Sequence, residues 1–321
     1  MKRIHDIQRP KGLAKGSTIA IVSASAPSVP SDVDLGVAWL EDCGFQVKVM
    51  PHAKASYGYL AGTDEQRLAD LIAAVESSDI EGILCTRGGY GAGRLLPYLP
   101  WQRWRDEAIP CKLLMGFSDV TMLHQAFFQE LGWLTYYSPM LTSNLLNDTQ
   151  DWTRQQWLSA ISASTFSTFE ALPYAFPNLD AYHCLQAGTV EGLLHGGNLS
   201  LLAALCGTPW QPSFQDCIVV IEDWKEKYYT LDRQFTQLIQ AGVFKGAKAI
   251  LFADFSQIEE EPIRSLAEQL AWLCKDLGIP MGYGYTIGHG EQTLTIPLGV
   301  KARFDTSAGI LSLLASPILR H

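Results

Sequence analysis

The first half of the chain alternates short apolar runs with segments of helical periodicity, and this alternation limits the fold more than any other feature. Residues 17–23 (STIAIVS), 45–50, 82–85 and 112–115 read as strands. Between them, 31–43 places Val33, Leu35, Val37, Leu40 and Cys43 at helical spacing, and 63–77 is a second helix capped by Thr63 or Asp64. Strands this apolar need cover on both faces, and helices between successive strands supply it, so the pattern implies a parallel sheet. In such sheets ligands bind beyond the carboxyl ends of the strands.

The later chain has a different character. Residues 141–188 are rich in Ser, Thr, Asn and aromatics, with an amphipathic helix expected over 151–162, and read as a connector with an insertion. Beyond Gly188, short β-like runs (189–194, 217–221, 249–252, 310–314) alternate with loops and with helices expected near 233–240 and 261–277, as in a second, more β-rich α/β domain. The expected division is 1–145, 146–187 and 188–321.

Charge and thiols exclude several classes of function. The 321 residues carry a formal net charge of -9 and no run of Lys or Arg beyond isolated pairs, which argues against nucleic acid or an anionic membrane as partner. Residues 1–15 are polar, unlike a signal peptide, and the longest apolar stretches are too short to span a bilayer. Seven scattered cysteines without a CxxC motif suggest free thiols in a reducing compartment, hence a cytoplasmic protein. No His or Cys pair stands at ligand spacing, so no metal is expected.

Four constellations are candidates for chemistry. Gly116-Phe117-Ser118-Asp119-Val120-Thr121 lies where the run 112–115 turns into a helix expected over 119–131. A serine on such a turn projects its hydroxyl beside the free N–H groups of a helix start, as a nucleophile does; the same residues also suit an ordinary N-cap. Arg87-Gly88-Gly89-Tyr90-Gly91 follows the strand 82–85 but has neither dinucleotide-fingerprint nor P-loop spacing, leaving a backbone N–H donor site or a tight turn. The strand 217–221 ends in Glu222-Asp223, carboxylates able to orient a histidine or merely solvate a strand end, with Tyr228, Tyr229, Asp232 and Arg233 as a possible network around them. Gly288-His289-Gly290 gives a histidine little packing of its own. His195-Gly196-Gly197-Asn198 reads as a tight junction turn or a wall of the site, the structural role being favoured.

Taken in order, these segments resemble the serine LD-carboxypeptidase family, which includes the microcin C immunity-type peptidases. The resemblance runs from Gly16-Ser17-Thr18-Ile19 and Gly62-Thr63 through the glycine turn, Ser118 and Ser138-Pro139-Met140. It continues through Gly196-Gly197-Asn198-Leu199, Glu222-Asp223, Asp232-Arg233 and Gly288-His289 to Pro297-Leu298-Gly299. The loop after the first strand, Ser23-Ala24-Ser25-Ala26-Pro27, departs from the family's more frequent order. The resemblance implies a flavodoxin-like parallel-sheet N-terminal domain, a smaller β-rich C-terminal domain, a homodimer and no cofactor. It also implies a triad of Ser118, Glu222 and His289, oxyanion donors at the N–H groups of Gly89 and Asp119, and an active site where the domains meet.

The implied reaction is removal of the terminal D-alanine from cytoplasmic murein tetrapeptide. The alternatives are a detoxifying peptidase acting on an aminoacyl-nucleotide antibiotic and, from another class, a non-catalytic ligand-binding protein. A cysteine hydrolase would need a thiol beside a histidine, and Cys85 sits inside a strand. The Asp119 side chain is expected to complement the helix dipole, Trp224 to line the pocket, and Arg87 to offset the repulsion of an anionic substrate or to form a buried ion pair.

Overall fold

The carboxyl ends of two sheets carry the residues of interest, and each sheet belongs to its own compact unit. The computed structural model describes residues 6–147, 151–164, 181–258 and 264–319. Unit 1 comprises Met1–Thr168, Glu291–Pro297 and Pro317–His321; unit 2 comprises Phe169–Gly290 and Leu298–Ser316.

Unit 1 runs β1 (Thr18–Val22), α1 (Pro30–Asp42), β2 (Gln46–Val49), α2 (Asp64–Glu76), β3 (Gly82–Cys85), α3 (Trp101–Asp106), β4 (Leu113–Gly116), α4 (Thr121–Leu131), β5 (Thr135–Tyr137), α5 (Asn144–Asn147) and α6 (Trp152–Ile161). The spatial order β2-β1-β3-β4-β5, all parallel, is that of a flavodoxin-like sheet. β3 and β4 are buried at every position, whereas β2 is an edge strand with Gln46 and Lys48 turned to solvent. Helix α1 starts one residue before the predicted Ser31, because Pro30 occupies the first turn, where its missing N–H costs nothing. Thr63 rather than Asp64 caps α2, in a reciprocal capping box with Gln66.

Unit 2 runs β6 (His183–Gln186), β7 (Thr189–Asn198), α7 (Leu199–Ala204), β8 (Cys217–Trp224), α8 (Tyr228–Gln240), β9 (Ala249–Ser256), α9 (Leu266–Cys274) and β10 (Met281–Tyr283). The chain then gives β11 (Ile296–Leu298) to the first sheet, beside β5, before β12 (Val300–Asp305) and β13 (Ile310–Leu313) complete the second. The second sheet has the order β13-β12-β7-β8-β9-β10-β6; its four central strands are parallel and its flanking strands antiparallel. Leu199, Leu202, Phe214, Val219, Ile221, Leu231, Phe235, Ile250 and Phe252 are among the residues that form its core. The expected helix 261–277 is α9 with a short 3-10 turn after it, and 261–263 lie outside the described residues. α8 begins five residues earlier than expected, with Tyr228 and Leu231 of the extra turn buried.

The segment His195–Asn198 is not a turn. It continues β7 in parallel register with β8, pairing Gly196 with Val220 and Asn198 with Glu222. Gly196 has φ +144°, and a Cβ there would stand 1.9 Å from the Val220 carbonyl oxygen, so the two strands approach as only glycine allows. Gly196→Ala is expected to cost about 3 kcal/mol or more, since backbone strain and backbone displacement add. Urea unfolding monitored by circular dichroism measures this, and an unchanged midpoint would contradict it.

Candidate active site

In unit 1 the buried strand β4 ends at Gly116, and the chain reverses sharply into α4. Phe117 is still extended, at φ -146° and ψ -171°, but Ser118 is driven to φ +59° at the start of a 3-10 turn, Ser118–Val120, that leads into the helix. A non-glycine residue in this region stores about 1–3 kcal/mol and needs its surroundings to hold it there. The Ser118 N–H donates to the Tyr137 hydroxyl at 3.3 Å. Buried His124 reaches the Gly116 carbonyl at 2.8 Å through Nε2; burial pushes its imidazole down to about 4, so the ring is neutral and donates N–H at the end of β4. Gly88 lies so close that a Cβ there would stand 2.9 Å from Ser118 Cβ and 3.0 Å from its Oγ. The glycine turn is therefore packed against the serine hydroxyl. Asp119, in the first turn, carries an N–H with no intrahelical acceptor available.

The Asp119 carboxylate does more than complement a dipole. It is buried, and its Oδ2 accepts from Ser25 Oγ at 2.6 Å and from the Ala92 N–H at 2.8 Å. It thus ties the loops after β1 and β3 to the serine turn. Burial raises its pKa, against the two hydrogen bonds and the nearby Arg67 guanidinium, which lower it. Arg87 is exposed and donates to the Pro27 carbonyl at 3.4 Å; among the described residues it makes no ion pair, which removes the buried-pair alternative. Cys85 is fully buried in β3, and burial followed by the Asp119 charge pushes its thiol up to about 12, so it is no nucleophile.

In unit 2 Glu222 sits at an irregularity between β8 and β9 and is 0% exposed. A carboxylate taken wholly out of water must be met by donors. His289 Nδ1 meets Oε2 at 2.6 Å, and Asn198 Nδ2 donates to Oε1 at 3.0 Å. Because the carboxylate only accepts, Nδ1 carries the hydrogen, and Nε2 is the basic nitrogen of the neutral ring. Gly288, at φ +118°, lets the loop pass: a Cβ there would stand 2.4 Å from Glu222 Oε2. The Trp224 ring, 41% exposed, stacks on the imidazole at 5.5 Å and 9°. Burial lowers the His289 pKa, but the charge and hydrogen bond of Glu222, with the charges of Asp223 and Asp254, outweigh it and hold the imidazole above its ordinary 6.5.

Asn198 and Asp223 were not singled out by the sequence as parts of one device. Asn198 Nδ2 also donates to Asp223 Oδ1 at 3.0 Å, while its Oδ1 accepts from the Leu201 N–H at 3.2 Å as the N-cap of α7. One amide thus clamps two adjacent carboxylates and starts a helix. Asp223 Oδ2 accepts from Ser200 Oγ at 2.8 Å and from the Ser200 N–H at 3.2 Å. Among the described residues, neither Asp232 nor Arg233 of the anticipated network reaches Glu222 or Asp223. Asp232 accepts from Thr236 on the surface, and Arg233 lies 6.0 Å from the Tyr229 ring centroid.

Comparison with known proteins follows the same two groups of residues. Residues 19–138 match the family model for the LD-carboxypeptidase N-terminal domain, and 191–304 that for the LD-carboxypeptidase C-terminal domain. A probable murein peptide carboxypeptidase of Bacillus subtilis is 33% identical over 303 residues, covering 93% of this chain and 92% of the relative. The murein tetrapeptide carboxypeptidase of Pseudomonas aeruginosa is 33% identical over 282 residues, 87% and 90% of the two chains. Among solved structures, a microcin C7 self-immunity protein in its wild-type apo state superimposes with a TM-score of 0.87 at 25% identity, over 97% of this chain and 99% of that one.

Burial, then the neighbouring Glu222, pushes Asp223 from 3.8 up to about 6. Between those values the folded chain holds a proton that the unfolded chain has lost, so this group's contribution to stability falls as pH rises from about 4 to about 6 and is level above. Asp223→Asn is expected to flatten that part of the slope in urea titrations from roughly pH 4 to 7. Wild-type and variant curves that run parallel would contradict it.

Proposed function

The chain belongs to the LD-carboxypeptidase family and is a serine-type enzyme of that family, and from this premise we propose that it releases the terminal D-alanine of murein tetrapeptide. The observation that supports the assignment best is the 2.6 Å contact between the fully buried Glu222 and His289 Nδ1, which fixes the imidazole with Nε2 as its basic nitrogen. The names of the Bacillus and Pseudomonas relatives support the substrate class.

In this mechanism Ser118 Oγ attacks the carbonyl carbon of the amide between the L-centre and the D-alanine, and its proton passes to His289 Nε2. Glu222 holds the ring and stabilises the imidazolium. The N–H groups of Gly89 and Asp119 receive the oxyanion, and each such donor is worth roughly 2.7–4 kcal/mol of barrier. The imidazolium then protonates the departing amine, D-alanine leaves, and water cleaves the acyl-enzyme by the same route in reverse order. The exposed guanidinium of Arg87, on a chain of net charge -9, offers an anionic peptide local attraction.

All seven cysteines are free, which fits a reducing compartment, and the reaction belongs in the cytoplasm on this reading. The homodimer implied by the family resemblance is part of the same proposal and is tested by sedimentation of the purified chain. A second substrate reading, an aminoacyl-nucleotide, is favoured by one observation: the half-exposed Trp224 ring beside His289 offers a flat face to a base.

Purified enzyme is expected to liberate D-alanine from murein tetrapeptide, and Ser118→Ala to do so at least about 10³-fold more slowly with its fold intact. Equal release by the two proteins would overturn the serine mechanism. Release from an aminoacyl-nucleotide instead of the tetrapeptide would transfer the mechanism to the second substrate.

A further inference from the structure

One partly buried carboxylate in unit 2 has so far no part in the chemistry. Asp254 lies near the carboxyl end of β9, two residues before the strand ends at Ser256. It grips the loop that carries His289 by two main-chain contacts. Its own N–H donates to the Ile287 carbonyl at 3.1 Å, and its carboxylate accepts from the His289 N–H. Its Oδ2 also accepts from Ser256 Oγ at 2.9 Å, which fixes the orientation of the carboxylate. The loop between these contacts contains Gly288, which passes close against the Glu222 carboxylate.

We propose that Asp254 is a positioning residue for His289: it sets the main chain of the histidine loop from β9 while Glu222 sets the ring from β8, and its negative charge supports the imidazolium. The two carboxylates act on different atoms of one residue. Glu222 fixes the ring's rotation and tautomer, and Asp254 fixes where the Cα stands, so that Nε2 returns to the same place at each turnover. The charged groups around the imidazole are Glu222, Asp223 and Asp254, with Trp224 stacked on its face and the Lys225 ammonium 5.5 Å from the Trp224 ring centroid. Among these, Asp254 is the acid that engages the backbone of His289. Consistent with mutual support, burial raises Asp254 to about 6, with Glu222 adding to the rise and His289 opposing it. The catalytic meaning of this inference rests on His289 being the base proposed above, whereas the hold on His289 does not.

Asp254→Asn separates charge from shape, because its amide oxygen can still accept the His289 N–H and its NH2 can donate to a reoriented Ser256 hydroxyl. The test is a pH titration of ring-labelled histidine by NMR, with the His289 signal identified as the one absent from His289→Gln, beside kcat/KM profiles on the tetrapeptide. Loss of the charge is expected to move the His289 midpoint down by roughly half a unit or more. The acid limb of kcat/KM moves with it, and kcat falls about tenfold while KM stays within about twofold. Ser256→Ala serves as the second variant if Asp254→Asn is poorly folded. It raises the proton affinity of Asp254 and so shifts His289 in the same direction by less. An unmoved His289 midpoint in a folded variant would overturn the proposal. A shifted His289 midpoint with an unmoved kcat/KM profile would support the hold of Asp254 on the loop and remove His289 from the reaction, so the two readings fail separately.

Discussion

Much of unit 2 is organised by the removal of one carboxylate from water. Glu222 has no exposed surface, and an ionised carboxylate buried without partners would cost far more than the few kcal/mol by which a domain is stable. Its neighbours follow from that constraint. Asn198 must stand directly across the β7–β8 ladder to reach it, so β7 has to run on through two glycines that lie against the backbone of β8. Gly288 must lack a side chain for the histidine loop to come within hydrogen-bonding distance. His289 then has Nδ1 committed to Glu222, which makes Nε2 the basic nitrogen of the neutral ring, as the proposed mechanism requires.

The serine turn of unit 1 answers a different constraint, a strained backbone rather than a buried charge. Ser118 keeps φ +59° because Tyr137, Asp119 and the closely packed Gly88 hold the chain around it. Asp119 contributes most to this, because its single carboxylate oxygen links the loops after β1 and β3. Strain of this kind is tolerated where the surroundings over-determine it, and it places the hydroxyl out of the backbone at a helix start.

What the sequence made legible tracks how far apolar pattern and structure coincide. In unit 1 the central strands β3 and β4 are apolar to their ends, so the alternation with helices was readable, as was the turn at Ser118. In unit 2 the strands outrun their apolar runs: β7 continues through His195–Asn198, β8 through Glu222–Trp224 and β9 through Asp254–Ser256. These polar ends look like loops to any pattern rule, because the rule assumes that buried means apolar. They are buried in the fold because they satisfy one another. Asp254 was not singled out for the same reason, and Asn198 and Asp223 were named without their partnership, since only pairing across strands reveals what each one holds. β11 was illegible for a simpler cause: three residues with Pro297 in the middle give no strand signal, and its partner β5 is far away in the chain.

Everything proposed for catalysis depends on Ser118 acting as a nucleophile whose base is prepared by Glu222. The most direct measurement is mass-spectrometric location of the adduct formed when the purified chain meets a fluorophosphonate, a probe that bonds to a hydroxyl activated by a neighbouring base. A single modified peptide is expected, with the label on Ser118 and its formation slowed at least about tenfold by Glu222→Gln, which leaves the serine in place but withdraws the charge behind His289. A label on another residue, or labelling of Ser118 at the same rate with and without the Glu222 charge, would contradict it.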